Sequence, residues 1–549
     1  MSTPHTVILG GDTLAFAVCK ALVERGDAVV VVWDAIGDVP AHTARLGARF
    51  SARHADERRT LLEAGIADAH VALALTEDDH TNLQFALTAR DLNPAIRIVM
   101  RQFNRTLGRK IEQNLPNCSA ISLSAQSAAT YSGAALDRDC FYGVQFPDID
   151  GPLVGFMHRT AANAGVVGSN APDAEERLRA RILACDGDRG FDRERPFEAA
   201  DTLTLFAKVE PRERTVVASA SSRYAAFVRA LRNLRRSLVR PDPIVRGAIL
   251  VGLAVFAFAT AFFAVVMHLN PVTAAYFVLS TMTTTGYGDI TPGLEDLRGQ
   301  FVSMLLMLAG LTFSGIFIAV LSSRFAQAQY IATQGLRPVT RRGHIVVCGA
   351  GHVGSRVVDQ LVALGRSVVV IETEPKPETI ARSRAGDYQL LTGDATKDAT
   401  LDLCNITEAA ALLALTNSDT MNLEIALGVR ARSEDCHIVM RVHHGTFEAS
   451  VRRHFGFERV FGTAALAAPV FVGLTRGPGM RGLVNVGGAD CAVIESEGRP
   501  VPPPGALGIE LVPLAVWRDG AVVPIANFDD LRHGERVLTL VELPDVLPA

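Results

Sequence analysis

Two short glycine-bearing stretches have the residue types and spacing to do chemistry. The first is Thr284-Thr285-Gly286-Tyr287-Gly288-Asp289. A cation leaving water needs its hydration oxygens replaced at close, even spacing, and backbone carbonyls do this when all of them face one axis. That arrangement requires unusual φ values at alternate residues, which Gly286 and Gly288 supply without steric cost. The second stretch is Gly349-Ala350-Gly351-His352-Val353-Gly354, which follows the apolar run 344–348 and opens a helical pattern. Glycines there let a pyrophosphate approach a helix N-terminus. Glu372, 18 residues after Gly354 at the end of the next predicted strand, offers a carboxylate to ribose hydroxyls. A carboxylate at that place disfavours a 2′-phosphate, so NAD(H) or an adenine nucleotide (ADP or ATP) fits better than NADP.

The first stretch lies between two uncharged runs, 247–268 and 301–323. Each exceeds the ~20 residues that span a bilayer as a helix, and the core helix of a soluble domain rarely stays apolar on every face for so long. Asn270 and Pro271 read as the N-cap and first position of a short helix over 271–283. It is too short to cross, and its C-terminal carbonyls carry partial negative charge toward the membrane interior, just before the segment 284–289. Arg223, Arg229, Arg232, Arg235, Arg236, Arg240 and Arg246 precede the first run, and Arg324, Arg337, Arg341 and Arg342 follow the second. The loop 269–300 holds Asp289, Glu295 and Asp296 but only one basic residue, Arg298. The expectation is a multi-pass cell-membrane protein with both termini cytoplasmic. The basic segment 221–246 is expected to be a linker helix with charge suited to anionic headgroups, although topology alone explains it. Among these arginines there is no regularly spaced ladder of the voltage-sensing kind.

The segments flanking this module repeat one another. LTEDDHTNLQFALTAR from Leu75 matches LTNSDTMNLEIALGVR from Leu415, and IVMR from Ile98 matches IVMR from Ile438, both at an offset of 340. Upstream, VILGGDTLA aligns with VVCGAGHVG at an offset of 339. Four-residue β-branched runs (29–32 and 368–371) alternate with helical patterns, the signature of parallel βαβ units. Each arm closes in a shorter mixed segment containing FEAADTLTLFAKVE or FDDLRHGERVLTLVE. The expected order is a Rossmann-like domain (1–135), a small α+β domain (136–220), the basic linker (221–246), the membrane module (247–323), a linker (324–342), a second Rossmann-like domain (343–477) and a second small α+β domain (478–549).

Composition agrees. Of 549 residues, 48% are hydrophobic and 20% charged, which excludes a disordered or collagen-like chain. A net charge of −4 argues against a nucleic-acid partner. The eight cysteines are scattered without a CxxC pair, so reduced thiols are expected rather than a zinc site or disulfide framework. The opening MSTPHTVILGGDTLAF lacks the pattern of a cleaved signal peptide.

Residues 245–325 resemble the potassium-channel family: TTTGYGD matches its selectivity-filter signature, and the order span, pore helix, filter, span is its minimal pore. The resemblance implies a homotetramer in membrane lipid in which Thr284, Thr285, Gly286, Tyr287 and Gly288 coordinate K⁺. It implies further that the Tyr287 ring braces the filter wall and that Asp289 sits at the outer mouth. Gly310, in LMLAGLTFSG, matches the family's inner-helix hinge, with Gly315 a second candidate; close helix packing explains such glycines as well. The arms resemble the domains that regulate K⁺ conductance in prokaryotic channels and transporters, through GDAT at Gly393 to Thr396 and LTNSDTMN at Leu415 to Asn422. That likeness implies a nucleotide site that adds Asp394, Ala395 and Thr416 to the glycine loop, and a ring of eight such domains from four chains. No further protein partner is evident.

The N-terminal copy departs from the pattern. Asp12 stands at the middle glycine, Ala15 at the last, Trp33 at the place of Glu372 (Asp34 is adjacent), and Arg53-His54-Ala55-Asp56 replaces GDAT. An aspartate there would repel and crowd a pyrophosphate, so this copy is expected to bind nucleotide poorly or not at all. A divalent-cation site near Asp394 and Asp419 is not favoured, since isolated surface carboxylates are usually just solvated. Two other functions compete with a ligand-gated K⁺ channel. A membrane-tethered NAD-dependent oxidoreductase leaves TTTGYGD unexplained, and His443 and His444 have no identifiable carboxylate partner. A K⁺ transporter subunit is expected to carry four fused pore repeats rather than one.

Overall fold

Val29–Val32 and Val368–Ile371 are buried, as strands of a parallel sheet covered by helices on both faces must be. In the computed structural model, which describes residues 5–33, 47–54, 56–147, 151–210, 243–293, 295–333, 338–443, 445–500 and 511–542, each arm holds one such sheet. The N-terminal strands are β1 (His5–Leu9), β2 (Ala28–Trp33), β3 (Arg49–Ala52), β4 (Val71–Ala74), β5 (Arg97–Arg101) and β6 (Cys118–Ile121), in the order β3-β2-β1-β4-β5-β6. An antiparallel sheet follows, of β7 (Cys140–Gln145), β8 (Leu153–Thr160), β9 (Ala180–Cys185) and β10 (Thr202–Lys208), with helices Ala161–Ala164 and Ala171–Leu178.

The C-terminal arm repeats the parallel sheet. Its strands are β11 (Ile345–Cys348), β12 (Val368–Glu372), β13 (Gln389–Thr392), β14 (Ala411–Ala414), β15 (His437–Val442) and β16 (Arg459–Gly462), in the order β13-β12-β11-β14-β15-β16. In both sheets the order reverses beside the first strand, which opens a crevice at the strands' C-terminal ends. Of the second small domain, expected to be α+β, the structure describes residues 478–500 and 511–542. Its described residues form an antiparallel sheet of β17 (Met480–Val486), β18 (Ala489–Glu497), β19 (Leu511–Arg518), β20 (Ala521–Pro524) and β21 (Arg536–Glu542), with one 3-10 turn at Phe528–Asp530.

Residues 1–214 and 337–549 form one compact unit and 215–336 a second. Within the first, the arms exchange helices. Helix Leu123–Leu136, rich in Ala, Ser and Gly and buried along nearly its whole length, enters the core of the C-terminal arm. Tyr131 donates its hydroxyl to the Phe461 carbonyl at 2.9 Å, and Ser132 donates to Gln360 Oε1 at 2.6 Å. Reciprocally, helix Thr463–Leu474 packs against helix Thr13–Glu24, and Arg97 Nε donates to the Leu474 carbonyl at 3.1 Å. Within the N-terminal arm, glycine also lets β7 lie close against helix Leu123–Leu136: a Cβ at Gly143 would lie 2.3 Å from the Ala129 carbonyl oxygen.

The described residues of the second unit form three helices. Pro243–Val266 has 24 residues, about 36 Å at ~1.5 Å per residue, and its apolar run is the shorter stretch Leu250–Val266. Leu297–Thr333 includes an apolar stretch, Leu297–Ile316, of mean hydropathy 1.6. Both limits correct the expectation: the first helix ends before His268, and the second starts four residues before 301 and absorbs linker residues up to Thr333. Between them, Asn270 caps helix Pro271–Met282 by accepting from the Thr273 amide, and Thr283 is its C-cap rather than its last residue. Phe263 meets Phe277 edge to face at 4.9 Å. Leu250, Leu253, Phe258, Met304, Leu308 and Leu311 are exposed, an outer surface suited to lipid or to other subunits. The six arginines between 223 and 240, with Arg337, lie outside the described residues.

One titratable group reports on the paired arms. His437 Nε2 lies 2.9 Å from the Ala134 carbonyl oxygen, where the neutral ring donates. Burial, reinforced by Arg138 and Arg459, pushes the imidazole down to about 4 from an ordinary value of 6.5. The unfolded chain therefore takes up this proton before the folded chain does. Its stabilising contribution is complete above pH 6.5 and is lost as pH falls toward 4. Unfolding of the full chain followed across that range should show a loss of stability toward low pH that is reduced in His437→Gln.

Candidate pore segment and candidate nucleotide pocket

In the second unit the pore helix hands over directly to the glycine segment. The amides of Thr285 and Gly286 both donate to the Ser280 carbonyl, at 3.0 and 3.1 Å, and the Thr284 amide donates to Thr281 at 3.1 Å. φ is +61° at Thr284, +48° at Gly286 and +74° at Gly288. Positive φ thus falls on every second residue, the alternation that aligns carbonyls along one side of an otherwise extended chain. Thr284 joins the two expected glycines in this, at a cost of about 1–3 kcal/mol for a β-branched residue. The Tyr287 ring stacks on Tyr276 with centroids 6.5 Å apart and planes 4° from parallel. Residues 283–289, Asp289 included, are exposed in the single chain. Non-helical backbone at membrane depth requires cover that one chain does not supply.

The two candidate hinge glycines differ. A Cβ at Gly310 would lie 2.6 Å from the Met282 carbonyl oxygen, so glycine lets the inner helix pass against the end of the pore helix. At Gly315 the space is open. Helix Leu297–Thr333 continues through both.

In the first unit the crevice of the C-terminal sheet is a cavity of about 680 Å³. Gly349, Gly351, His352 and Val353 line it, with Glu372, Asp394, Ala395 and Thr416 from the neighbouring strand ends. Gly349 has φ +95°, and a Cβ at Gly354 would lie 1.9 Å from the Gly349 carbonyl oxygen, so Gly354 lets the loop close onto its helix. Gly351, the N-cap of helix His352–Ala363, has no atom within 4 Å of its Cβ position. The Ala350 amide donates to Glu372 Oε2 at 2.6 Å, which holds that carboxylate against the loop. The Thr396 amide and hydroxyl donate to Asp394 Oδ1 at 2.9 and 2.8 Å, and they hold this carboxyl below its usual range. The Thr416 amide donates to Asn422 Oδ1 at 2.9 Å.

The cavity also takes residues that the motif reading left out. Asp12, Arg101 and Phe103 reach it from the N-terminal arm, and Arg441 and His443 from β15 and the loop after it. The Phe103 ring stacks on His352 at 4.6 Å, and burial, Lys376 and Arg101 all lower that imidazole's pKa. His443 has a carboxylate partner after all: its Nδ1 is 2.7 Å from Asp419 Oδ1, and its amide donates to the same oxygen at 2.9 Å. Twenty-four residues separate the two, so only the adjacency of β14 and β15 brings them together. His444 lies outside the described residues.

The crevice of the N-terminal sheet is occupied by its own side chains. Asp12 accepts from the Ala15 amide at 2.9 Å, and Arg101 Nη1 donates to its Oδ2 at 2.6 Å. Trp33 packs where a Cβ on Gly11 would come within 3.1 Å of its ring. Asp56 caps helix Glu57–Glu63, and His54 meets Glu63 at 2.6 Å. Asp34 and Ala55 lie outside the described residues. The repeated IVMR, which ends in Arg101 and Arg441, was the sequence signal for the two arginines.

The loop geometry separates two substitutions. Gly354→Ala should cost about 1–3 kcal/mol by overpacking, whereas Gly351→Ala should stay within about 0.5 kcal/mol. Thermal unfolding of the purified chain distinguishes them.

Known families match the segments that carry these residues. The TrkA-N domain family matches residues 6–115 and 345–463, and the ion channel family matches 250–327. The voltage-gated potassium channel Kch of Escherichia coli (strain K12) is 29% identical over 177 residues, 31% of this chain and 41% of that protein. Potassium channel protein 1 of Methanocaldococcus jannaschii is 25% identical over 174 residues, 31% of this chain and 52% of its own. The chain therefore spans about half or less of the length of these relatives. The structure of the GsuK channel bound to NAD covers 98% of this chain and 77% of its own at 15% identity, with a TM-score of 0.50, a likeness of fold. The chain is thus similar to TrkA-N domains on each side of a stretch that is similar to the ion channel family.

Proposed function

We propose that the chain is one subunit of a tetrameric, K⁺-selective channel of the cell membrane, with both termini cytoplasmic and conduction controlled by a nucleotide in the C-terminal arm. The observation that carries this reading is the positive φ at Thr284, Gly286 and Gly288, placed between two apolar helices. Four such segments around one axis would bury their exposed backbone against one another and present rings of carbonyl oxygens to a dehydrated ion. Relatives named as potassium channels support the choice of ion. Asp289 then stands at the outer mouth, and the Tyr276–Tyr287 stack stiffens the filter wall.

The regulatory ligand is NAD(H) or an adenine nucleotide. The open space at Gly351, the N-terminus of its helix and the carboxylate of Glu372 suit a pyrophosphate and a ribose. A neighbour of the same fold named as bound to NAD supports this assignment. Four chains with two arms each supply eight domains, and the exchanged helices make each chain's pair a ready-made building block. Nucleotide would shift the gate by its difference in affinity between two arrangements of that ring, with the inner helix bending at Gly315 or near Gly310.

Reconstituted in liposomes, the wild type should pass K⁺ at least 100-fold better than Na⁺ (about 2.7 kcal/mol of discrimination), and Gly286→Ala should abolish that preference. Equal Na⁺ and K⁺ flux through the wild type would refute the pore assignment. Single-channel currents of the wild type should respond to NAD(H), ADP or ATP, and those of Gly351→Asp should not. Identical responses from the two proteins would remove the C-terminal pocket from gating.

A further inference from the structure

The two arms are copies, and superposing their numbering pairs Asp12 with Gly351 (offset 339) and Arg101 with Arg441 (offset 340). In the N-terminal arm the pair is complete. Asp12 stands at the N-cap of helix Thr13–Glu24, its carboxylate accepts from the Ala15 amide, and Arg101 donates to it at 2.6 Å. The Arg101 side chain is only 4% exposed. An anion therefore sits between a helix N-terminus and a buried guanidinium, and the protein provides it.

In the C-terminal arm the same frame lacks the anion. Gly351 leaves open the space that the Asp12 side chain fills in the other arm. Arg441 points its Nε at Thr463 Oγ1, 2.9 Å away, and among the described residues no carboxylate is in ion-pair contact with it. Burial lowers the pKa of this guanidinium, as expected for a charge held away from water. The nearby Asp419 accepts instead from the amide and ring of His443. Gly351 and Arg441 line one cavity.

We infer that the Asp12 carboxylate marks, in the N-terminal arm, the place a nucleotide phosphate takes in the C-terminal arm, and that Arg441 is the residue that binds this phosphate. The inference rests on the nucleotide reading above and deepens it. The ligand is recognised through its phosphate as well as its nucleoside, and the N-terminal arm carries its own permanent substitute for one. Selective failure of that arm to bind nucleotide follows from occupancy by Asp12, not from loss of the site's frame.

Calorimetric titration of the full chain in detergent tests this with ADP, NAD⁺ and adenosine as probes. A charge-assisted contact predicts that Arg441→Gln weakens ADP and NAD⁺ about 10- to 100-fold and leaves adenosine unchanged, with Arg441→Lys intermediate. Equal affinity of wild type and Arg441→Gln for ADP overturns the assignment, as does an equal loss for ADP and adenosine, which marks a merely structural arginine. A second measurement does not depend on ligand. Gly351→Asp rebuilds the Asp12–Arg101 pair, so it should melt higher than Gly351→Asn, and the difference should vanish in an Arg441→Gln background. No difference between those two melting temperatures overturns the inference. Should the wild type bind none of the three probes while the melting cycle holds, the nucleotide reading fails and the anion site at Arg441 stands.

Discussion

Backbone that is neither helix nor barrel survives at bilayer depth only when other protein covers its polar groups, and the rest of this structure follows from that constraint. In the proposed pore the segment 284–289 is such a backbone, with left-handed φ at alternate residues and exposed in the single chain. Helix Pro271–Met282 in front of it ends with the Ser280 and Thr281 carbonyls already accepting the amides of Thr284, Thr285 and Gly286. Gly310 gives the inner helix its closest approach to that helix end, and the Tyr276–Tyr287 stack holds the segment from the side. None of these contacts covers the carbonyls themselves. In the proposed assembly, copies of the same chain would be that cover, because symmetry would give each carbonyl ring equal members.

The cytoplasmic unit meets a different demand. A duplicated Rossmann-like arm could have stood as two independent domains. Here each arm gives the last helix of its Rossmann-like domain to the other, so Tyr131 finds a hydrogen-bond partner 330 residues away in sequence and the core of one arm is completed by the other. The exchange also places Phe103 against His352 at the mouth of the C-terminal loop. The degenerate arm is thus not idle: it walls the cavity of the intact one.

Duplication followed by divergence explains the chemical asymmetry. Both arms keep a helix N-terminus and an arginine at the end of the fifth strand. One arm places Asp12 between them, and the other leaves Gly351 and open space. A single residue type decides whether the same frame is satisfied internally or awaits an anion from solution. That is an electrostatic choice made on a common scaffold.

Much of this was legible in the residues. The glycine spacing singled out the two glycine segments, β-branched runs marked the buried strands, and the repeat showed that the arms share a fold, because each signal is local in sequence. Helix limits shifted by a few residues, and linker residues up to Thr333 proved helical, since apolar composition marks where lipid begins but not where a helix stops. The second small domain carries no α-helix among its described residues, which its mixed sequence pattern had not indicated. His443 gained Asp419, Arg441 came to face Gly351 across one cavity, and Tyr131 joined the arms, all through strand adjacency and helix exchange. Residue order alone therefore determined the chemistry each short segment is able to do. Which distant segments meet, and so which charge stands unanswered in the pocket, was decided only by tertiary packing, because those contacts depend on how whole faces bury one another.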